Sequence, residues 1–414
     1  MAAARIIGAG LAGLSVAVTL AQRGVAVRMD EAAPRAGGRC RSYYDPTLDQ
    51  VIDNGNHFVF SGNQAVARYL KTVGAQDCLE GPDKADFVFH DLGDDSRWTM
   101  RLGDGRIPWW LLDPKRRAAG TTLIEHLPLA ALALRGRGRG RATLGSVIRN
   151  RGHFWQRVVD PMMLAVLNCP PEQGSAWLAA RFLRESFLRG GRACRTLAPV
   201  PTLAAAFVDP ALAWLGARDI HPRFSSRLRG LVFSGDRVTG LDFGQAAEPV
   251  DGPVILSVPP WVAADLVPGL NVPDRFCSIL NAHFAVAPPA NAPMITALIG
   301  GCAQWVVCHP ARISTTISGA DAIIDGDRGA LAQRIWADVC QTLGLSGGVP
   351  RWQIVKERRA TFAATPEQDR KRPPAATRWR NLFLAGDWTQ TQLPATIEGA
   401  LRSGEVAARL ALRA

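Results

Sequence analysis

The run Gly8-Ala9-Gly10-Leu11-Ala12-Gly13 constrains this chain more than any other feature. Apolar residues ending in Ile6 and Ile7 precede it. A helical pattern over 11–22 follows, stopped at Arg23-Gly24 with glycine at the C-terminal cap. Residues 25–29 then read as a second, β-rich strand, so the opening spells a β-α-β unit. Gly8 permits the tight turn out of the strand, Gly10 lets the main chain approach a pyrophosphate, and Gly13 lets the helix lie close on the strand. Phosphates would rest on the free amides at the helix start, around Leu11 and Ala12, where the dipole favours negative charge. A dinucleotide site of this kind needs a carboxylate for the ribose. Glu31 stands 18 residues after Gly13, at the exit of the second strand, and is preferred; its neighbour Asp30 is the alternative.

A nicotinamide cofactor needs little beyond this unit, whereas FAD is longer and takes a second contact region. The far end of the chain offers one. An apolar strand over 381–385 delivers Gly386 and Asp387 to a turn, and a helix over 396–412 follows. Asp387 is placed to bond the ribityl chain. The amides near Thr396 and Ile397 are placed to stabilise charge on a reduced ring. The cofactor expected is therefore FAD, held from both ends of the sequence.

Between these ends, residues 76–194 are rich in Trp, Arg and Leu with helical spacing. Short strands return over 237–243 and 254–258, and 271–374 mix both types. We expect an α/β (mixed α+β) protein with a discontinuous Rossmann-type FAD-binding domain formed by 1–75, 195–270 and 375–414. A substrate domain would be inserted as 76–194 and 271–374. Hydrophobic residues at 47% and charged residues at 20% suit a globular core. A net charge of +12 favours anionic partners without choosing among them. The eight cysteines form no C-x-x-C pair and gather no histidines, so neither a metal site nor a disulfide framework is expected. No secretory leader or membrane span is expected, which points to a cytoplasmic protein. Residues 135–141 alternate arginine and glycine and read as a flexible basic loop, a solvated linker or a contact for anionic lipid. Without stacking aromatics they do not point to nucleic acid. Trp109-Trp110-Leu111-Leu112 and the apolar stretch 123–134 suggest a greasy entrance or a membrane-docking face.

Several segments together resemble one superfamily: IGAGLAGLSVAVTLAQRG at 7–24, EAAPRAGGRCRS at 31–42, IDNGNHFVFSG at 52–62, GRIPWWLLDP at 105–114, RESFLRGGRACR at 184–195, IVKERRATFAATP at 354–366 and LFLAGDWT at 382–389. The chain resembles the FAD-dependent amine oxidase and phytoene desaturase superfamily, with its GDI-like fold. Within it, the chain is similar to the hydroxysqualene dehydroxylases of bacterial hopanoid synthesis. The resemblance implies that Arg39 meets the FAD phosphates with Gly38 giving room. It also implies that the loop 53–57, with Gly55, Asn56 and His57, lies by the isoalloxazine ring, and that the main chain near Leu228 holds adenine. The implied reaction is reductive dehydroxylation of a hydrophobic isoprenoid at an allylic carbon, by an enzyme in peripheral contact with the inner face of the membrane. A general acid would aid the departing hydroxyl; His57 and Lys356 are the candidates, with His283 a third. Two alternatives share the fold: an oxidative desaturase or amine oxidase, and a prenyl-binding escort protein without redox chemistry.

Overall fold

The computed structural model describes residues 3–135 and 140–414. The central part of the expected basic loop, 136–139, lies outside the described residues. A four-stranded sheet forms around the first glycine turn. Its order is Leu382–Leu384, Val254–Leu256, Ala4–Ile7, Val27–Asp30, and every pair is parallel. Ile6 pairs with Ile255, which pairs in turn with Phe383, so the two ends of the chain are separated by one strand. The inner strands are buried throughout, as a parallel sheet covered on both faces requires. The second strand begins at Val27 rather than at 25, because Gly24 at φ +72° turns the chain and Val25 still bonds back to the Leu20 carbonyl. Pro259-Pro260 do more than close a strand. Pro260 opens a helix, Pro260–Leu266, at the position where its missing N–H costs nothing.

Helices Leu11–Ala21 and Ile397–Ala411 cross on this sheet. Ser15 Oγ donates to the Leu401 carbonyl at 2.8 Å. At the crossing a Cβ on Gly404 would stand 2.5 Å from the Ala12 carbonyl oxygen and 2.6 Å from Ser15 Cβ. A Cβ on Gly13 would likewise overlap the Gly8 carbonyl.

A second sheet has seven strands in the order Trp352–Phe362, Phe276–Phe284, Arg312–Ser318, Trp305–His309, Ile295–Ile299, Asp86–Asp91, Ser96–Arg101. Alternation along the strands divides its faces. Leu280, Ala282, Phe284, Ile313 and Ile317 pack on helix Arg328–Leu343 through Leu331, Ile335 and Trp336. The opposite face carries Asn281, His283, Arg312, Ser314 and Thr316, and Asn56 of the loop 53–57 bonds to it. Pairing between the first two strands slips near Cys277, so that three residues, 358–360, stand opposite the single Ser278 and bulge. All strands of the parallel sheet come from 4–30, 254–256 and 382–384, and all strands of the seven-stranded sheet from 86–101 and 276–362.

The helix crossing gives a test. Gly404→Ala adds one methyl against main chain that cannot yield, and should destabilise the protein by about 1–3 kcal/mol. Denaturant unfolding of the FAD-loaded protein checks this, and the variant should release FAD at lower denaturant than the wild type.

Candidate active site

The glycine turn opens onto free space. A Cβ on Gly10 would meet nothing within 4 Å, whereas one on Gly8 would stand 2.7 Å from the Ser257 carbonyl oxygen. Gly8 (φ +103°) and Gly38 (φ +56°) both adopt backbone angles that favour glycine. Gly37 N donates to the Ala9 carbonyl at 2.8 Å, and this pairing lays Gly38 against Gly10: a Cβ there would be 3.4 Å from Gly10 Cα. A shallow main-chain cradle results, bounded by Gly10 on one side and Gly38 on the other. Ser257 Oγ, buried behind it, has no hydrogen-bond partner among the described residues.

The two acids at the strand exit separate by partner. Asp30 is 2% exposed and is engaged by Arg5 at 3.0 Å, Arg223 at 2.6 Å and Ser226 at 3.2 Å. Glu31 sits at the edge of the cradle and accepts from the Ala9 amide at 2.7 Å and the Ala33 amide at 2.8 Å. A carboxylate has about four acceptor sites, so Glu31 keeps capacity for hydroxyls that Asp30 has given to arginines. Segment 223–228 runs beside this exit: Glu31 N bonds the Arg223 carbonyl and Ser226 N the Glu31 carbonyl, each at 2.9 Å. Leu228 follows, its side chain buried and its main chain without a hydrogen bond among the described residues.

From the C-terminal end, strand Leu382–Leu384 delivers Gly386 and Asp387. Gly386 (φ +146°) leaves no room for a Cβ beside the Trp388 indole, and its amide donates to Ser403 Oγ at 2.8 Å. Asp387 accepts from Arg39 Nη2 at 2.5 Å, while Arg39 Nη1 donates to the Ala360 carbonyl at 2.6 Å. That carbonyl belongs to the 358–360 bulge, so the slipped register is what turns it toward Arg39. Gly10, Gly38, Arg39 and Asp387 thus form one continuous surface. The Thr396 side chain caps the following helix by accepting from the Gly399 amide at 3.0 Å.

Two residues outside the expected site, Arg372 and Glu398, hold this surface, and a third, Asn281, lies behind the loop 53–57. Arg372, fully buried, bonds the carbonyls of Asp387 and Thr389 at 2.9 Å each, Thr391 Oγ1 at 2.7 Å and Asp369 at 3.0 Å. It fixes the turn that presents Asp387. Glu398 accepts from the Ala65 and Val66 amides, capping helix Gln64–Val73 from another element. Asn281 lies against Gly55: a Cβ on that glycine would be 2.8 Å from its amide nitrogen. The only local clue to Asn281 was a polar residue inside an apolar strand run.

The histidine and lysine candidates separate as well. His57 is partly buried and makes no side-chain hydrogen bond among the described residues. Desolvation, with Arg39 adding and Asp387 opposing, pushes its imidazole down to about 4. That direction favours the uncharged ring. Lys356 is not brought to the cradle at all. Its Nζ donates to the Gly326 carbonyl at 3.2 Å, while the adjacent Glu357 accepts from Asn54 of the loop on the other face. Alternation along Trp352–Phe362 turns the lysine away. His283 is fully buried behind the loop, its ring facing the Asp53 main chain.

The flavin-containing amine oxidoreductase family model matches residues 11–412, and the chain belongs to that family. FAD is its cofactor, and the protein is an FAD-dependent oxidoreductase. It is 47% identical over 412 residues to a hydroxysqualene dehydroxylase of Rhodopseudomonas palustris, covering 99% of this chain and 98% of that one. It is 43% identical to a protein of the same name from Zymomonas mobilis, covering 100% of this chain and 99% of that one. Among solved structures it shares the fold of cyclohexylamine oxidase from Brevibacterium oxydans, with a TM-score of 0.73, 14% identity and 100% and 99% coverage.

The buried imidazoles predict an acid-sensitive fold. Burial, then Arg312, lowers His283 to about 3; burial, then Arg312 and His283, lowers His309 to about 3. An imidazole of the unfolded chain takes up its proton near 6.5. Acidification therefore protonates the unfolded state first. The stability carried by these neutral rings is complete above about pH 6.5 and is lost as the pH falls toward the folded values. Thermal melts should show Tm dropping steadily from pH 7 to 4.5, with a shallower slope in His283→Gln.

Proposed function

We propose that this protein reduces hydroxysqualene to squalene, breaking the allylic C–O bond and forming a C–H bond, with water leaving. Reduced FAD, when bound, supplies the hydride. The observation that carries the proposal is agreement along the whole chain, at 43–47% identity, with proteins named hydroxysqualene dehydroxylase.

The residues fit that cofactor. Gly10, Leu11, Ala12 and Gly13 offer main-chain amides for the diphosphate after the turn at Gly8, whose own amide bonds the Asp30 carbonyl, with Gly38 leaving space and Arg39 supplying positive charge. Glu31 takes ribose hydroxyls, and the unpaired main chain at Leu228 takes adenine. Gly386 and Asp387 meet the ribityl side, and the amides at Thr396 and Ile397 favour negative charge at the ring. Gly55, Asn56 and His57 line the reacting face, where neutral His57 contributes shape and a neutral N–H. Lys356 has no part in this reading. Residues 1–75, 195–270 and 375–414 act as the cofactor domain, and 76–194 with 271–374 as the substrate domain.

An aromatic cluster adjoins the same loop. Phe60, three residues beyond His57, packs on Phe87, Phe182 and Phe187 with ring centroids 5.7–6.4 Å apart. All four rings are half-buried. Helix Ala176–Glu185, which carries Phe182, packs on helix Leu127–Arg135. Of the twelve large apolar side chains exposed in the described residues, seven fall between 107 and 134, including Trp109 at 68% and Ile124 at 74%. No helix of the described residues is long and apolar enough to cross a membrane. We read this segment as the face that rests on the inner surface of the membrane and admits substrate from it, with Arg106 and Lys115 facing anionic headgroups.

Two measurements test these readings. Protein carrying chemically reduced FAD, mixed with hydroxysqualene without oxygen, should yield one squalene per flavin as the flavin re-oxidises. Bleaching of oxidised flavin by a saturated isoprenoid, with no squalene formed, would assign a desaturase instead. In vesicle co-sedimentation with anionic lipid, joint replacement of Trp109, Leu112 and Ile124 by serine should weaken binding by at least about tenfold with the flavin spectrum unchanged. Equal sedimentation of variant and wild type would rule out this face.

A further inference from the structure

The polar face of the seven-stranded sheet holds a hydrogen-bonded chain whose direction is set. Asn56 N–H, which can only donate, approaches Asn281 Oδ1 at 3.4 Å. The Thr315 carbonyl, which can only accept, lies 3.4 Å from Asn56 Nδ2. These two main-chain groups orient both amides, which could otherwise be turned end for end. The remaining bonds follow. Asn56 Nδ2 donates to Thr316 Oγ1 at 3.0 Å, and Thr316 donates to Asn281 Oδ1 at 2.8 Å. On the other side Ser314 Oγ donates to Asn56 Oδ1 at 2.8 Å, so it must accept from His309 Nε2–H at 2.9 Å. His309 Nε2 therefore carries a proton.

The chain ends at Asn281 Nδ2. Asn281 is 1% exposed, and no hydrogen bond donated by this nitrogen is found among the described residues. The nitrogen lies beside Gly55, where any side chain would strike it. Turning the amide over would set its N–H groups against the Asn56 N–H and the Thr316 hydroxyl proton. The donor end is therefore locked toward the loop 53–57.

We propose that Asn281 Nδ2 is the donor that binds the substrate's hydroxyl oxygen, with Thr316, Asn56, Ser314 and His309 as positioning residues. The inference rests on the reading of the protein as a reducer of an allylic alcohol. A triterpene alcohol has one oxygen, and the fold presents one orientation-locked neutral donor beside the loop. A bond from N–H to that oxygen stabilises the negative charge that grows on it as the C–O bond lengthens. A fixed dipole does this without reorganisation.

The experiment compares affinities for hydroxysqualene and for squalene, read from the change each causes in the oxidised flavin spectrum. Wild-type protein should prefer the alcohol. Asn281→Leu should reduce that preference by about three- to tenfold, with FAD content and the spectrum of the substrate-free enzyme unchanged. Asn281→Asp keeps the acceptor oxygen and the shape but turns the free end into an acceptor. It should hold the alcohol within about threefold of wild type while single-turnover re-oxidation of reduced flavin slows by more than tenfold. An unchanged preference in Asn281→Leu, or wild-type turnover in Asn281→Asp, overturns the proposal. So does a shifted flavin spectrum or reduction potential in the substrate-free variants, which would assign the donor to the flavin. If Asn281→Leu does not fold, the Asn281→Asp turnover decides. Wild-type protein that binds the two lipids equally and forms no squalene would instead defeat the functional reading itself.

Discussion

The architecture depends on contacts at which no side chain fits. Gly13 lies on the Gly8 carbonyl and Gly404 on the Ala12 carbonyl, so the first helix is pressed onto the sheet and the last helix onto the first. Both contacts are main chain to main chain, where the neighbour has no rotamer to change and a methyl group must move a whole helix. This closeness brings the residues after strand Leu382–Leu384 to the glycine turn of residues 8–13, although nearly the entire chain separates them. The Arg39–Asp387 pair then joins the two edges of the cradle. Arg39 is 43% exposed, so the pair adds little stability by itself. Its value is geometric, because it holds a cation beside the cradle of Gly10 and Gly38.

The second sheet divides its labour between faces. One is apolar and packs on helix Arg328–Leu343; the other buries Asn281, His283, Arg312, Ser314 and Thr316. Burying such groups is unfavourable unless they are hydrogen-bonded. Much of the set is satisfied internally, through Asn56, Thr316 and Ser314. Arg312 donates to the Val51 carbonyl, but its Nε and Nη2 have no hydrogen bond among the described residues. Asp53, 3.7 Å away, is bound instead to Ser42 and the Leu203 amide, and burial raises its carboxyl.

Most of the main-chain cradle was legible before folding, because its motifs obey local rules. The glycine spacing, the acid at the strand exit and the strand-turn-helix at 382–411 each lie within one supersecondary unit. The chemistry was less legible. His57 was readable as a member of the loop, but its loss of basicity follows from desolvation and from Arg39, which no spacing reveals. Lys356 looked available beside Glu357 in sequence, yet strand alternation puts these neighbours on opposite faces. Which of the two faces the cradle depends on pairing with Phe276–Phe284 and on the bulge at 358–360. Arg372, Glu398 and Asn281 carry no motif, since their partners lie on other elements.

The sequence by itself determined a dinucleotide fold, a flavin cofactor and the family to which the chain belongs. These depend on residue types at fixed short spacings, where steric limits on glycine and the free amides of a helix start leave few options. Only the tertiary structure decided between Asp30 and Glu31, by engaging the first with Arg5, Arg223 and Ser226. It also turned Lys356 away and aimed the Asn281 amide at the loop. Each of those outcomes is set by pairing between strands or segments distant in sequence, and a shift of one residue in such a pairing reverses which way every side chain points.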